Sequence, residues 1–226
     1  EMRDTLSSIS GYPICVRLLD AGADKPLPFA NFLAETNPAL GQRGIRFLRK
    51  YPELLKTQLQ AIVKLHQDFD VQILVPMVTL PDDIIVVKDV LSQICTANQI
   101  KKYPKLGAMI ETPAAALSAK ALAPFVDFMS FGTNDLTQYS FAADRENTCV
   151  ESYFDDTSEV IFRLIKLVHN DLPNMPLSVC GELAGRKEFM SSLIQAGITS
   201  LSVASPLVPV IKEAIRNVQR MPVSQS

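Results

Sequence analysis

Six short apolar runs, each followed by a stretch with helical spacing, constrain this chain more than any other feature. The runs are Tyr12 to Leu19, Val71 to Val78, Leu106 to Glu111, Val126 to Phe131, Leu177 to Cys180 and Ile198 to Ala204. Each reads as a strand, and as a group they lack the polar–apolar alternation of strands with one wet face. Strands that are apolar on both sides are covered on both faces, and strict β/α alternation then makes the sheet parallel. The fold class expected is α/β, and two architectures are open. One is a (β/α)8 barrel of TIM type, of which about six of eight units would be present. The other is a doubly wound open sheet. No G-x-G-x-x-G follows any strand, which disfavours the second.

The helices follow from local signals. A long one should begin near Arg43 and Arg46, with Ile45, Leu48, Leu54, Leu55, Leu59, Ile62 and Leu65 on its apolar face and a break near Pro52. Further helices are expected over Pro81 to Gln99, Pro113 to Leu122, Ser158 to Asn170, Arg186 to Ala196 and Pro206 to Gln219. Asp20 to Pro28 and Ala34 to Gly41 read as loops, and the tail from Met221 to Ser226 as frayed. There is no boundary, repeat or low-complexity segment, so residues 1–226 read as one domain. The chain opens on Glu1 and reads as a piece of something longer.

Composition removes several function classes. With 22 basic and 24 acidic residues and no basic run, the chain is not built to bind nucleic acid by charge. No apolar run approaches the roughly 18 residues of a membrane span, and the polar start is not a signal peptide. Cys15, Cys95, Cys149 and Cys180 form no CxxC pair, as expected of reduced thiols in a cytoplasmic protein.

The chemistry of a parallel β/α protein sits at the C-terminal ends of its strands. Arg17 is near the end of the first run and Glu111 ends the third. Asn134 and Asp135 follow the fourth, with Gln138, Asp144 and Arg145 close behind. Cys180, Gly181 and Glu182 end the fifth, and Ser202 and Ser205 the sixth. Charged side chains beside apolar strands are costly unless paired or liganded. Each has a plainer reading. Arg17 could pair with a neighbouring carboxylate, Glu111 could cap the next helix, and Cys180 could be a small core residue. His66 and His169 lie on helix patterns with no ligand spacing. Several such positions at strand ends favour a site. Two hard carboxylates, Glu111 and Asp135, suit Mg²⁺. Arg17, Arg43 and Arg145 offer forked donors for phosphate and carboxylate oxygens, and Cys180 a thiol that gives or takes a proton at carbon.

Four strings carry a resemblance: NPALGQRGIR (Asn37 to Arg46), ETPAAA (Glu111 to Ala116), SFGTNDLTQYSFAADR (Ser130 to Arg145) and CGELAG (Cys180 to Gly185). Together they resemble Enzyme I of the bacterial phosphoenolpyruvate:sugar phosphotransferase system, over nearly the whole chain and in the same order. Pyruvate phosphate dikinase and phosphoenolpyruvate synthase are similar in the GTNDLTQ string. The resemblance implies a phosphoenolpyruvate-binding barrel that gives its phosphoryl group to a histidine of a separate N-terminal domain, for onward transfer to HPr. It implies Glu111 and Asp135 as Mg²⁺ ligands and Arg17 and Arg43 as phosphoryl binders. It implies that Asn134 and Arg145 orient the substrate and that Cys180 is the acid completing pyruvate. A homodimer is implied as well. The alternatives are the equivalent domain of a dikinase or synthase, and a non-catalytic phosphoenolpyruvate sensor.

The chain departs from the family at three points. The resemblance implies that about two further β/α units, and with them a further phosphate-binding arginine, belong upstream of Glu1. The expected Gly-Gly-Asp-Lys loop reads Gly22-Ala23-Asp24-Lys25. Neither His66 nor His169 resembles the phosphorylated histidine. The chain alone is therefore expected to bind phosphoenolpyruvate weakly and not to complete the transfer in cis.

Overall fold

The computed structural model describes residues 6–7, 11–22 and 34–220; Ala23 to Lys25 of the departing loop and the tail 221–226 lie outside them. The chain divides into two compact units, Glu1–Met109 with Ala121–Phe128, and Ile110–Lys120 with Met129–Ser226.

The first unit is built on β1 (Ile14–Arg17), α1 (Ile45–Lys50), α2 (Pro52–His66), β2 (Val71–Val78), α3 (Pro81–Ala97) and β3 (Lys105–Ile110). β1 and β2 pair in parallel, Ile14 opposite Val71 and Arg17 opposite Leu74. β2 is buried throughout except at Gln72, as a strand covered on both faces should be. β1 is less covered than its sequence suggests, because Cys15 and Arg17 are exposed. The long helix divides where expected. Pro52 has no N–H to continue the α1 ladder and instead starts α2, where an unpaired first-turn N–H costs nothing. α2 then buries Leu55, Leu59, Ile62, Val63 and Leu65, each fully buried leucine contributing about 1.5–3 kcal/mol. Asp83 fixes the start of α3. Its Oδ2 accepts from the backbone N–H groups of Thr79 (3.0 Å) and Leu80 (2.9 Å), and its Oδ1 from Arg49 (2.6 Å).

The second unit holds α4 (Pro113–Leu117), β4 (Phe128–Gly132) from Met129 on, α6 (Thr133–Phe141), α7 (Glu159–Asp171), β5 (Leu177–Cys180), α8 (Met190–Gln195), β6 (Ser200–Leu201) and α9 (Val208–Arg220), while α5 (Ala119–Leu122), following α4, has its last two residues in the first unit. The helix expected over 113–122 is interrupted at Ser118, whose hydroxyl and backbone N–H both donate to the Ala114 carbonyl, at 2.6 and 3.0 Å. β4 and β5 pair in parallel with Gly132 opposite Cys180, and β5 pairs with β6 at Ser178 and Ser200. β6 keeps only two residues of its expected run. Ser158 caps α7, its hydroxyl accepting from Val160 N–H at 3.3 Å. The sequence does not announce α6, since Thr, Asn, Asp and Ser are poor helix formers. Tertiary burial overrides propensity there: Thr133, Asp135, Leu136, Thr137 and Gln138 are all buried. Among the described residues no helix is long and apolar enough to cross a membrane.

Candidate active site

Five of the seven expected site residues fall in the second unit. The end of β4 runs into α6 without a loop, so the polar residues after the strand occupy the first helical turn. Thr133 Oγ1 donates to the Cys180 carbonyl at 3.0 Å, and Glu182 N–H donates to Asn134 Oδ1 at 3.1 Å. These bonds tie the end of β5 to the start of α6. Gly181 sits between them at φ 94°. A Cβ there would lie 2.6 Å from Thr133 Oγ1 and 2.8 Å from Asn134 Oδ1, so both backbone shape and close approach require glycine. With Oδ1 occupied, Asn134 has two amide N–H donors for a ligand oxygen.

Glu111 leaves β3 and rests on the backbone of Gly132. A Cβ on Gly132 would come within 2.6 Å of both Glu111 Cγ and Oε1. The role of helix cap belongs to Thr112, whose hydroxyl accepts from Ala115 N–H at 3.1 Å. Glu111 is 2% and Asp135 5% exposed, so both carboxylates are withdrawn from bulk water. Arg145 Nη1 lies 3.9 Å from Asp135 Oδ1. Its backbone N–H donates to Gln138 Oε1 at 3.1 Å, which anchors the chain after α6. Asp144 plays a different part: its carboxylate accepts from Glu146 N–H at 2.9 Å and shapes an exposed turn. Cys180 is half-buried rather than a core residue. Its thiol donates to the Phe131 carbonyl at 3.3 Å.

The loop after Cys180 is held at its far end too. Arg186 Nη2 lies 3.0 Å from Asp156 Oδ1. Burial pushes the Asp156 carboxyl above the ordinary carboxylate range against the lowering effect of Arg186, and Glu182 and Asp155 push it the same way as burial. A raised native value means the folded protein binds this proton more tightly than the unfolded chain. That contribution to stability is complete at low pH and is lost as pH rises through the native value. Asparagine mimics the protonated form. Asp156→Asn is therefore expected to gain stability over wild type as pH rises from about 4, read from denaturant midpoints across pH 3–8. A difference independent of pH would show that Asp156 titrates normally.

Arg17 and Arg43 belong to the first unit and gather around a residue the sequence reading passed over. Asp20 Oδ2 lies 3.1 Å from Arg43 Nη2 and 3.5 Å from Arg17 Nη1. The Asp20 and Arg43 side chains are 1% and 2% exposed, whereas Arg17 is half-exposed. Arg43 precedes α1 rather than standing in its first turn. Arg46 does stand in that turn and donates to the carbonyls of Leu40 (3.0 Å) and Gly41 (3.3 Å), so it holds a turn. Asp20 could have been found: it is an acid just past a strand end, three residues after an arginine. His66 and His169 serve packing. His66 Nε2 is 3.0 Å from the Lys102 carbonyl, and the His169 ring lies against Gly197.

Among the described residues no group of three or more His, Cys, Asp or Glu side chains is arranged to hold a metal. The pair Glu111 and Asp135 still suits Mg²⁺, which commonly takes one or two protein carboxylates and completes its shell with substrate oxygens and water.

The family described as "PEP-utilising enzyme, PEP-binding domain" matches residues 1–220. A phosphoenolpyruvate-protein phosphotransferase of Mycoplasma genitalium is 40% identical over 195 residues, covering 85% of this chain and 34% of that protein. One from Buchnera aphidicola subsp. Schizaphis graminum is 37% identical over 223 residues, 95% of this chain and 39% of that protein. A multiphosphoryl transfer protein of Rhodobacter capsulatus is 35% identical over 215 residues, 94% of this chain and 26% of that protein. The chain thus spans between 26% and 39% of the length of these three relatives. Among solved structures, a citrate lyase from Burkholderia xenovorans matches with TM-score 0.54 and 15% identity over 72% of this chain and 53% of that one. A pyruvate kinase from Cryptosporidium parvum matches with TM-score 0.52 and 13% identity over 71% of this chain and 34% of that one. These two likenesses concern the fold alone, and they agree with the incomplete TIM-type α/β barrel expected from the sequence. The chain belongs to the PEP-utilising enzymes and carries their phosphoenolpyruvate-binding domain.

Proposed function

We propose that the protein containing this chain takes the phosphoryl group from phosphoenolpyruvate, passes it to a histidine on a separate domain and releases pyruvate. The observation that carries this reading is the grouping at the start of α6. There Asn134 accepts from the segment just after Cys180, buried Asp135 lies 3.9 Å from the Arg145 guanidinium, and β5 ends on the half-buried Cys180 thiol. Such a set handles a small anion that carries both phosphate and carboxylate and needs a proton at carbon.

The roles follow from the donors and acceptors. Arg145 would clamp the substrate carboxylate with its forked guanidinium, and Asn134 would donate to a substrate oxygen. Arg17 and Arg43, oriented by Asp20, would bind phosphoryl oxygens. Glu111 and Asp135 would hold Mg²⁺, which when bound supplies charge neutralisation for the phosphoryl oxygens. Phosphoryl transfer leaves enolpyruvate, and Cys180 would protonate its methylene carbon. The histidine acceptor, onward transfer to HPr and a homodimer are carried by the resemblance to Enzyme I. The multiphosphoryl transfer protein among the relatives is named for phosphoryl relay and supports a partner domain.

Cys180→Ser in the full-length protein tests this reading. Pyruvate formation is expected to fall about 10²–10⁴-fold, the usual worth of a positioned general acid. Phosphoenolpyruvate affinity should stay within a few-fold of wild type. A collapse of affinity, or unchanged turnover, would assign Cys180 to structure instead.

A further inference from the structure

We infer that Ser130 is a positioning residue for proton delivery, holding the sulfur of Cys180 and stabilising the charge it acquires. The inference rests on Cys180 as the proton donor. Ser130 lies on β4 two residues before Gly132, which stands opposite Cys180 in the β4–β5 register. Residues i and i+2 of a strand share a face, so the Ser130 side chain lies on the Cys180 side of the sheet. Its hydroxyl donates toward Cys180 Sγ at 3.9 Å. Ser130 is 3% exposed, so bulk water does not compete for that hydroxyl.

The Phe131 carbonyl and the Ser130 hydroxyl act on opposite states of the sulfur. The carbonyl, 3.3 Å from Sγ, accepts from the neutral thiol and keeps the proton in place before reaction. In the proton transfer the S–H bond breaks and its electron pair stays on sulfur. The proton forms a C–H bond at the terminal carbon of the enolate, and the enolate oxygen becomes the ketone of pyruvate. The new thiolate then faces a carbonyl oxygen, which repels it. The Ser130 hydroxyl donates to the same sulfur, and that bond strengthens once the acceptor is charged.

The test is exchange of pyruvate methyl protons in D₂O with Mg²⁺, catalysed by the full-length protein and followed by NMR. Exchange runs the same proton transfer in reverse and shares its transition state. Ser130→Ala is expected to slow exchange about tenfold while the KM for phosphoenolpyruvate stays within about twofold, and Ser130→Thr, which keeps the hydroxyl, to restore it. Single-turnover release of pyruvate from phosphoenolpyruvate makes the same comparison in the forward direction. Wild-type rates in Ser130→Ala would overturn the inference, as would parallel loss of exchange and substrate affinity in both variants, the mark of a purely structural serine. Cys180→Ser in the same assay separates the two claims. If it exchanges as fast as wild type, the reading of Cys180 fails. If it alone loses exchange, only the role of Ser130 fails.

Discussion

Asp135→Ala in the full-length protein is expected to lower Mg²⁺-dependent turnover of phosphoenolpyruvate by about 10³-fold and to raise the Mg²⁺ concentration needed for half-maximal rate. A cation at a transferring phosphoryl group supplies several kcal/mol of charge stabilisation, and about 4 kcal/mol corresponds to that factor. Asp135 is buried in the first turn of α6, so water replaces its carboxylate poorly. Glu111→Ala should behave alike, since Glu111 lies buried against Gly132. Removing Asp135 also takes a carboxylate from beside Arg145, 3.9 Å away. Asp135→Asn, which keeps the shape, separates metal binding from packing. Retained turnover with an unchanged Mg²⁺ requirement in both alanine variants would overturn the assignment of the two carboxylates.

Asp20→Ala is expected to cost the first unit much of its stability. It removes a carboxylate 3.1 Å from Arg43 Nη2, and the Arg43 side chain, 2% exposed, cannot turn to bulk water in exchange. Breaking a buried pair in this way typically costs about 3–5 kcal/mol. Arg17, half-exposed, can turn to water and adds little. The measurement is the denaturant midpoint of the full-length protein or of this unit's transition within it. Asp20→Asn should recover part of the loss, because the amide oxygen still accepts from Arg43. A midpoint for Asp20→Ala equal to wild type would show that Arg43 finds another partner at no cost.

Much of the secondary structure was legible because its causes are local. β2 and β5 occur at their expected bounds, since a short, mostly apolar run between polar breakers favours a buried strand. The division of the long helix at Pro52 follows from a missing N–H and needs no tertiary partner. α6 was not legible: its composition argues against a helix, and only burial of its N-terminal half on nearly every side supplies what propensity lacks. β6 was over-read for the converse reason. Apolar residues at Ile198 to Ala204 looked like a full strand, but pairing with β5 extends only over Ser200 and Leu201.

The same division runs through the site. By itself the sequence determined the order of strands and helices, and therefore which polar residues stand at strand ends. Apolar period, proline and glycine act within a few residues of themselves. Only the tertiary structure decided which side chains serve one another. It joined Asp20 to Arg43 across 23 residues of chain, and Ser130 to Cys180 across 50. It also set Glu111 against the bare backbone of Gly132 and gave the helix cap to Thr112. Those pairings depend on strand register and close packing, which are properties of the folded chain and leave no local pattern to read.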